Sequence, residues 1–432
     1  MLGGVSLEVA APYADADLAT CASAWEVLRS GIASGDAQVA EDATGGDRVA
    51  VYCGALRALA GACDATGGDG TPSAGTQALA LKASAGLANV VLIAARRKRV
   101  EFLEALAGGG AVAALIAVMS RTLPQKAYLG CAKALHVLCA SSSQARKDAA
   151  GGDGPAAIAT TLGWCVLGEG GDGKMDGSLK YKDRALGGEL FKVCYAVAAG
   201  RRLDCKDDED RGDFLLNPGE RKDDPAITLI GLCLRAVLCG ERGLYEVPPI
   251  CLDAVNLLTC APKTYYAWFV ENNGVHRLCN LLEGILVDYL VEEKYTNPET
   301  TLPPILDCLM KICQASPKGK RYLKEWIFPA EDDARWMPEY EKAKEAAKTD
   351  EKAKKDFDDA RMHPADAPKY SCRAQLIKLM CETEVITKRL VSELLYLVCD
   401  EDANEFILRC GMGSAIAFLQ IKKLMPMPKS SV

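Results

Sequence analysis

Apolar residues recur at intervals of three and four along almost the whole chain, a spacing typical of amphipathic helices. Within residues 385–398, for example, Ile386, Leu390, Leu394 and Leu397 fall on one helical face. The alternation of apolar and polar residues that marks strands is hard to find. The pattern therefore predicts an all-α protein.

One apolar helical phrase with a polar residue near its middle returns several times. Its copies occupy residues 131–139, 190–197, 252–260, 305–313 and 390–399. Drifting repeats of this kind are typical of armadillo and HEAT units, which stack into solenoids. We therefore expect an all-α, armadillo/HEAT-like right-handed superhelical solenoid with a long concave binding surface.

A second recurring element is a short helix that ends in Gly before another apolar helix begins. It is found at residues 102–112, 268–276 and 406–415. Gly suits the left-handed turn that ends a helix. The predicted repeat is thus a short helix, a Gly turn, a second helix and a long inner helix that carries the phrase.

The expected domain organisation follows from these repeats. Residues 1–424 are predicted to form one armadillo-like domain with a charged insertion at 331–368, and 425–432 a short tail. The middle of the insertion is dense in Lys, Glu, Asp and Ala, so it is expected to be an exposed charged helix. Residues 168–177 and 204–225 are predicted to be loops.

Composition narrows the class of protein. Hydrophobic residues make up 49% of the chain and charged residues 25%, which is typical of a well-buried globular protein. The net charge of −7 argues against nucleic acid or an anionic membrane as the main partner. The 19 cysteines include no Cys-x-x-Cys pair and mostly occupy apolar helical positions. We expect them to be small core residues in a reducing compartment, with no disulfide framework, metal or cofactor.

The sequence also bears on location. Residues 1–8 lack a basic segment and a continuous apolar core, so they do not form a signal peptide. The longest apolar runs, such as 111–119, are shorter than the roughly 20 residues that span a bilayer. The expected location is the cytoplasm, and recruitment to the cell cortex is left open.

Catalytic and nucleotide-binding motifs are not convincing. Residues 168–174 have the spacing of a phosphate-binding loop, but Met175 stands where Ser or Thr would bind Mg²⁺. The acidic run 204–213 resembles a calcium loop, but Pro218 takes the place of the closing Glu. No nucleophile and base are paired, so we do not expect an enzyme.

The polar residues of the inner helices are the candidate binding residues, because the third helix of an armadillo repeat lines the concave groove. Asn89 occupies the groove position of an early helix, and its later equivalents are His136, Ala196 and Cys260. Lys192 and Asn256 lie one turn earlier on the same face. Arg57 and Lys133 occupy neighbouring positions. This polar, partly basic stripe suits an extended or helical ligand with a negative end, such as a C-terminal carboxylate.

The C-terminal part of the chain carries a family resemblance. Residues 302–309, 320–329, 376–380, 387–399 and 406–415, read in order, resemble the synembryn family. Residues 191–193 and 253–258 fit the same family more weakly. The resemblance covers nearly the whole chain and is most specific after Asn256.

The resemblance implies a function that periodicity does not give. Members of this family are cytosolic chaperones and non-receptor exchange factors for heterotrimeric G-protein α subunits. They bind the GDP-bound or nascent α subunit, promote GDP release and hold the nucleotide-free form, and their concave groove holds the C-terminal helix of that partner. By this resemblance the partner-binding candidates are Arg57, Asn89, Lys133, Lys192 and Asn256, with Lys388 and Arg389 as secondary candidates. We expect the protein to act as a monomer through binding, without covalent chemistry.

Three departures from the family keep an alternative open. The chain ends at 425–432, where family members usually continue into an acidic segment. Ala196 stands at an inner-helix place where the family typically keeps Asn, and the 331–368 insertion is longer than expected. The alternative is an armadillo-type interaction scaffold without exchange activity.

Overall fold

The structure is a computed structural model. It describes residues 43–45, 48–64, 72–120, 123, 125–167, 183–204, 229–238, 249–261, 263–290, 298–329, 345–346, 348–352, 371–381 and 385–425. In these ranges all regular elements are helices, as the apolar periodicity predicts. The chain divides into two compact units. Unit 1 comprises Met1–Gly240 and Pro249–Cys260, and unit 2 comprises Glu241–Pro248 and Ala261–Val432.

Unit 1 is built from stacked helices in three rows. Its helices are α1 (Arg48–Asp64), α2 (Ala74–Arg96), α3 (Val100–Gly108), α4 (Ala111–Met119), α5 (Gln125–Ser141), α6 (Ser143–Ala150), α7 (Gly154–Leu167), α8 (Arg184–Asp204), α9 (Leu229–Leu238) and α10 (Pro249–Leu258). The short helices α3 and α6 pack together, and α1, α4, α7 and α9 form a second row. The helices α2, α5, α8 and α10 pack in sequence as the third, inner row.

Unit 2 repeats this arrangement. Its helices are α11 (Lys263–Glu271), α12 (Gly274–Leu290), α13 (Pro298–Ala315), α14 (Pro317–Ile327), α15 (Cys372–Met380), α16 (Val385–Val398), α17 (Ala403–Cys410) and α18 (Met412–Ile421). Helix α11 packs on α14, α12 on α15, α15 on α18, and α13 on α16. The recurring phrase therefore lies on the inner helices of both units, and the predicted helical-repeat architecture is confirmed.

Cysteine thiols fill small spaces between these helices. All of the described cysteines are buried except Cys381. Burial raises the pKa of the Cys139 and Cys165 thiols to about 12. These thiols are therefore protonated at neutral pH and act as core side chains, as their apolar positions predict.

The turns between helices follow the predicted Gly pattern in one place and depart from it in another. Gly110 has φ of 84° and ψ of 19°, the left-handed conformation expected between α3 and α4. Between α11 and α12 the left-handed residue is Asn273, with φ of 62°, rather than the neighbouring Gly274. Gly274 is needed for another reason, because a Cβ there would overlap the ring of Phe269.

Some expectations are refined or fall outside the described residues. Ile386 is 59% exposed, although periodicity places it on the apolar face of α16. The predicted loop at 168–177 lies outside the described part of the chain. So do the predicted loop at 204–225, except for Asp204 at the end of α8, and the predicted tail at 425–432, except for Met425. The 331–368 insertion is described only at residues 345–346 and 348–352.

One described helix, α2, is long and apolar enough to cross a membrane, with a mean hydropathy of 1.8. The bent pair α3 and α4 would pass the same test together. In α2, 56% of the apolar window is buried inside the structure, and the helix packs along α5. The place of α2 in the core of unit 1 therefore accounts for its composition.

Candidate partner-binding face

The exposed side of the inner row in unit 1 carries four of the predicted binding residues. Helices α2, α5 and α8 each pack on helices of both other rows, and α10 packs on α8 and α9. Asn89 on α2 and Asn256 on α10 are half-buried, Lys133 on α5 is exposed, and Lys192 on α8 is half-buried. We call this side of α2, α5, α8 and α10 the inner face.

Three of these side chains are available to a ligand. Asn89, Lys133 and Asn256 make no side-chain hydrogen bond or ion pair with another described residue. Each amide offers two N–H donors and one acceptor oxygen, and the Lys133 ammonium offers three donors. This part of the inner face can therefore bind backbone carbonyls or a carboxylate.

Lys192 lies instead within a cluster of charged groups from three helices. Its Nζ donates to Glu189 Oε1 at 3.1 Å and lies 3.9 Å from Asp253 Oδ2. On the other side, His136 Nδ1 lies 3.4 Å from Glu189 Oε2. We call these four residues the charge cluster, and it links α5, α8 and α10.

The two carboxylates of the charge cluster have opposite electrostatic environments. The hydrogen bond from His136 lowers the pKa of Glu189 to about 2, with burial opposing this shift and Lys192 adding to it. Burial raises the pKa of Asp253 to about 6, and the nearby Glu189 charge adds to this while Lys192 opposes it. Lys192 thus compensates Glu189 better than it compensates Asp253.

The charge cluster changes the predicted character of the stripe. The sequence pattern predicts a polar, partly basic stripe, but Glu189 and Asp253 offset the charge of Lys192. Both acids could have been found, because each precedes a predicted residue by three positions and so shares its helical face. In addition, His136 contacts Glu189 on α8. Glu189 lies about two turns before Ala196, the residue that the sequence pattern predicts to be the equivalent of His136.

Three other predicted residues are placed elsewhere. Arg57 is exposed on α1, and its Nη1 donates to the Gly109 carbonyl at 3.0 Å, at the turn before α4. The structure therefore does not place Arg57 on the inner row. Lys388 is half-buried and Arg389 exposed on α16, an inner helix of unit 2.

The described residues do not suggest metal or nucleophilic chemistry. They contain no group of three or more His, Cys, Asp or Glu side chains that could hold a metal ion. Burial also raises the pKa of the Cys194 and Cys279 thiols, which disfavours the reactive thiolate.

Rows of stacked helices with a polar inner face define a helical-repeat protein. Comparison with known families makes this specific. The sequence matches the family described as guanine nucleotide exchange factor synembryn over residues 20–346 and 361–431. The chain belongs to this family, as the resemblance of residues 302–415 predicts. Exchange factors of this family act on G-protein α subunits.

Among solved structures, an engineered protein aligns with a TM-score of 0.48 and 16% sequence identity, covering 94% of this chain and 82% of its own. No curated protein sequence matches the chain.

Proposed function

We propose that this protein is a guanine nucleotide exchange factor and folding chaperone for heterotrimeric G-protein α subunits. The observation that carries the proposal is the family match over residues 20–346 and 361–431. The partner is the GDP-bound or nucleotide-free α subunit. The protein acts in the cytoplasm as a monomer, and recruitment to the cell cortex would bring it to its partner.

The inner face supports a specific binding mode, in which it holds the C-terminal helix of the α subunit. The last four carbonyls of any helix lack intrahelical partners, and the helix dipole places partial negative charge there. Asn89 can donate to such carbonyls, and Lys133 can pair with the terminal carboxylate. Neither side chain has an internal partner among the described residues.

Binding alone is sufficient for exchange. A partner that binds the open, nucleotide-free α subunit better than the closed form lowers nucleotide affinity by the same free-energy difference. A tenfold effect needs only about 1.4 kcal/mol. The mechanism therefore requires no nucleophile, metal or cofactor.

The test is the rate of GDP release from a purified α subunit, with and without this protein. Acceleration is the expected result, with heat-denatured protein as the control. If the α subunit binds but releases GDP at its intrinsic rate, the protein is an interaction scaffold without exchange activity. If neither binding nor acceleration is seen with α subunits of several classes, the proposed function is wrong.

A further inference from the structure

Asp253 is a poorly compensated carboxylate on the inner face. Its side chain is 16% exposed, and its nearest cation, Lys192 Nζ, lies 3.9 Å away. No hydrogen bond to its carboxylate comes from another described residue. Lys192 is closer to Glu189, at 3.1 Å, and Glu189 also faces His136. The Asp253 carboxylate is therefore open to a hydrogen-bond donor from a ligand.

The backbone of Gly188 leaves room for the Asp253 carboxylate. A Cβ on Gly188 of α8 would lie 2.9 Å from Asp253 Oδ2. The carboxylate thus occupies space that any other residue at position 188 would fill. Glycine at position 188 therefore allows the carboxylate to lie at the junction of α8 and α10, next to the ammonium of Lys192.

The charges of the cluster decide which ligand group fits. Glu189 and Asp253 contribute two negative charges and Lys192 one positive charge, so these three groups sum to −1. A ligand carboxylate would meet this excess negative charge, whereas a basic side chain would be attracted to it. We propose that Asp253 is a specificity-determining contact that accepts a Lys or Arg side chain of the bound α-subunit segment.

This inference rests on the proposed function and adds an orientation to it. The anionic end of the ligand would lie toward Asn89 and Lys133 on α2 and α5, and a basic side chain toward α8 and α10.

Because burial raises the pKa of Asp253 to about 6, its carboxylate is charged at pH 7.5 and mostly protonated at pH 5.5. The groups that face it are Lys192 and Glu189 of α8 and His136 of α5. Affinity for a basic segment should therefore fall as pH falls through 6.

The experiment is to measure the affinity of the full chain for a purified GDP-bound α subunit at pH 7.5 and 5.5. Asp253→Asn keeps the shape of the side chain and removes its charge. We expect it to weaken binding about tenfold at pH 7.5 and to reduce the pH dependence. The matched control is Glu101→Gln, which neutralises an exposed carboxylate on α3, away from the inner face.

One addition makes the assignment specific. Replacing each Lys and Arg in the partner's C-terminal helix by Ala, with and without Asp253→Asn, should reveal coupling to one of them.

The outcomes separate the two proposals. If the wild-type chain does not bind the α subunit, the proposed function fails and this inference fails with it. If the wild type binds but Asp253→Asn stays within about twofold of it with the same pH dependence, only this inference is overturned.

Discussion

Gly130 on α5 lies directly against Ser84 on α2, where these two inner helices of unit 1 touch. A Cβ on Gly130 would lie 2.6 Å from Ser84 Oγ and 2.8 Å from the Ser84 carbonyl carbon. Because one of these atoms is backbone, the neighbour cannot give way by a simple rotation. The close approach of α2 and α5 therefore depends on glycine at position 130.

Gly130→Ala should destabilise the protein, although alanine is the better helix former. Relieving the overlap with Ser84 is expected to cost about 1–3 kcal/mol, against a gain of about 1 kcal/mol in helix propensity. The control is Gly163→Ala on α7, where a Cβ meets nothing within 4 Å. This control should be neutral or stabilising in urea unfolding followed by circular dichroism. Equal unfolding midpoints for the two variants would contradict the packing of α2 on α5.

The raised pKa of Asp253 predicts a stabilising mutation in the charge cluster. The folded protein holds this proton to about pH 6 and the unfolded chain only to about pH 3.8, so the folded state binds more protons in between. Stability is therefore lost as pH rises from about 4 to 6, and the loss is complete above that window. Two pKa units correspond to about 2.7 kcal/mol, which partial exposure reduces to about 1–2 kcal/mol.

Asp253→Asn should accordingly unfold at a higher urea concentration than wild type at pH 7.5, with the difference shrinking toward pH 4.5. Glu189→Gln is expected to change the stability in the opposite direction, because His136 lowers the pKa of Glu189 to about 2 and stabilises its charge. That variant should be less stable than wild type at pH 7.5. A destabilised Asp253→Asn at pH 7.5 would contradict the electrostatic account.

The start of α17 depends on a side-chain cap. Asp402 Oδ1 accepts hydrogen bonds from the backbone N–H groups of Asn404 at 2.7 Å and Glu405 at 3.3 Å. Asp402→Ala leaves both donors without this acceptor and should cost about 1 kcal/mol. Asp402→Ser keeps a capping oxygen and should retain most of the stability in thermal unfolding. If both variants melt together, the cap does not stabilise unit 2.

Much of the fold follows from periodicity because the inner helices need a continuous apolar side. The copies at 131–139 and 305–313 lie on α5 and α13, as predicted. The exact turn residue was less predictable, since Asn and Gly both tolerate the left-handed conformation. At the α11–α12 turn Asn273 adopts that conformation, and Gly274 is required instead by its packing against Phe269.

The candidate site was less predictable than the fold because it depends on the register between helices. The sequence indicates that Glu189 shares a face with Lys192, three positions apart. It does not indicate which residue of α5 or α10 lies opposite, since 168–182 and 205–228 separate these helices without a repeat pattern. The structure places His136 and Asp253 there, and this contact set turns a basic stripe into a mixed cluster.

The last prediction concerns the part of the inner face that remains open to an anionic ligand. Asn89→Ala removes an amide that no described residue uses, and Lys133→Glu reverses an exposed charge on the adjacent helix α5. If the C-terminal end of the α-subunit helix docks there, the double variant loses donors and gains repulsion. Its affinity for the α subunit should fall by tenfold or more, by roughly 1.4 kcal/mol at least.

Arg57→Glu is the charge-matched control for this double variant, because Arg57 lies on α1 and bonds the Gly109 carbonyl. It reverses the same charge away from the inner row, so it should keep near wild-type affinity while losing some stability. Affinities are best measured by titration calorimetry at two salt concentrations, since the Lys133 contribution weakens as ionic strength rises. A loss in Arg57→Glu equal to that of the double variant would move the binding surface from the inner row to the side of α1.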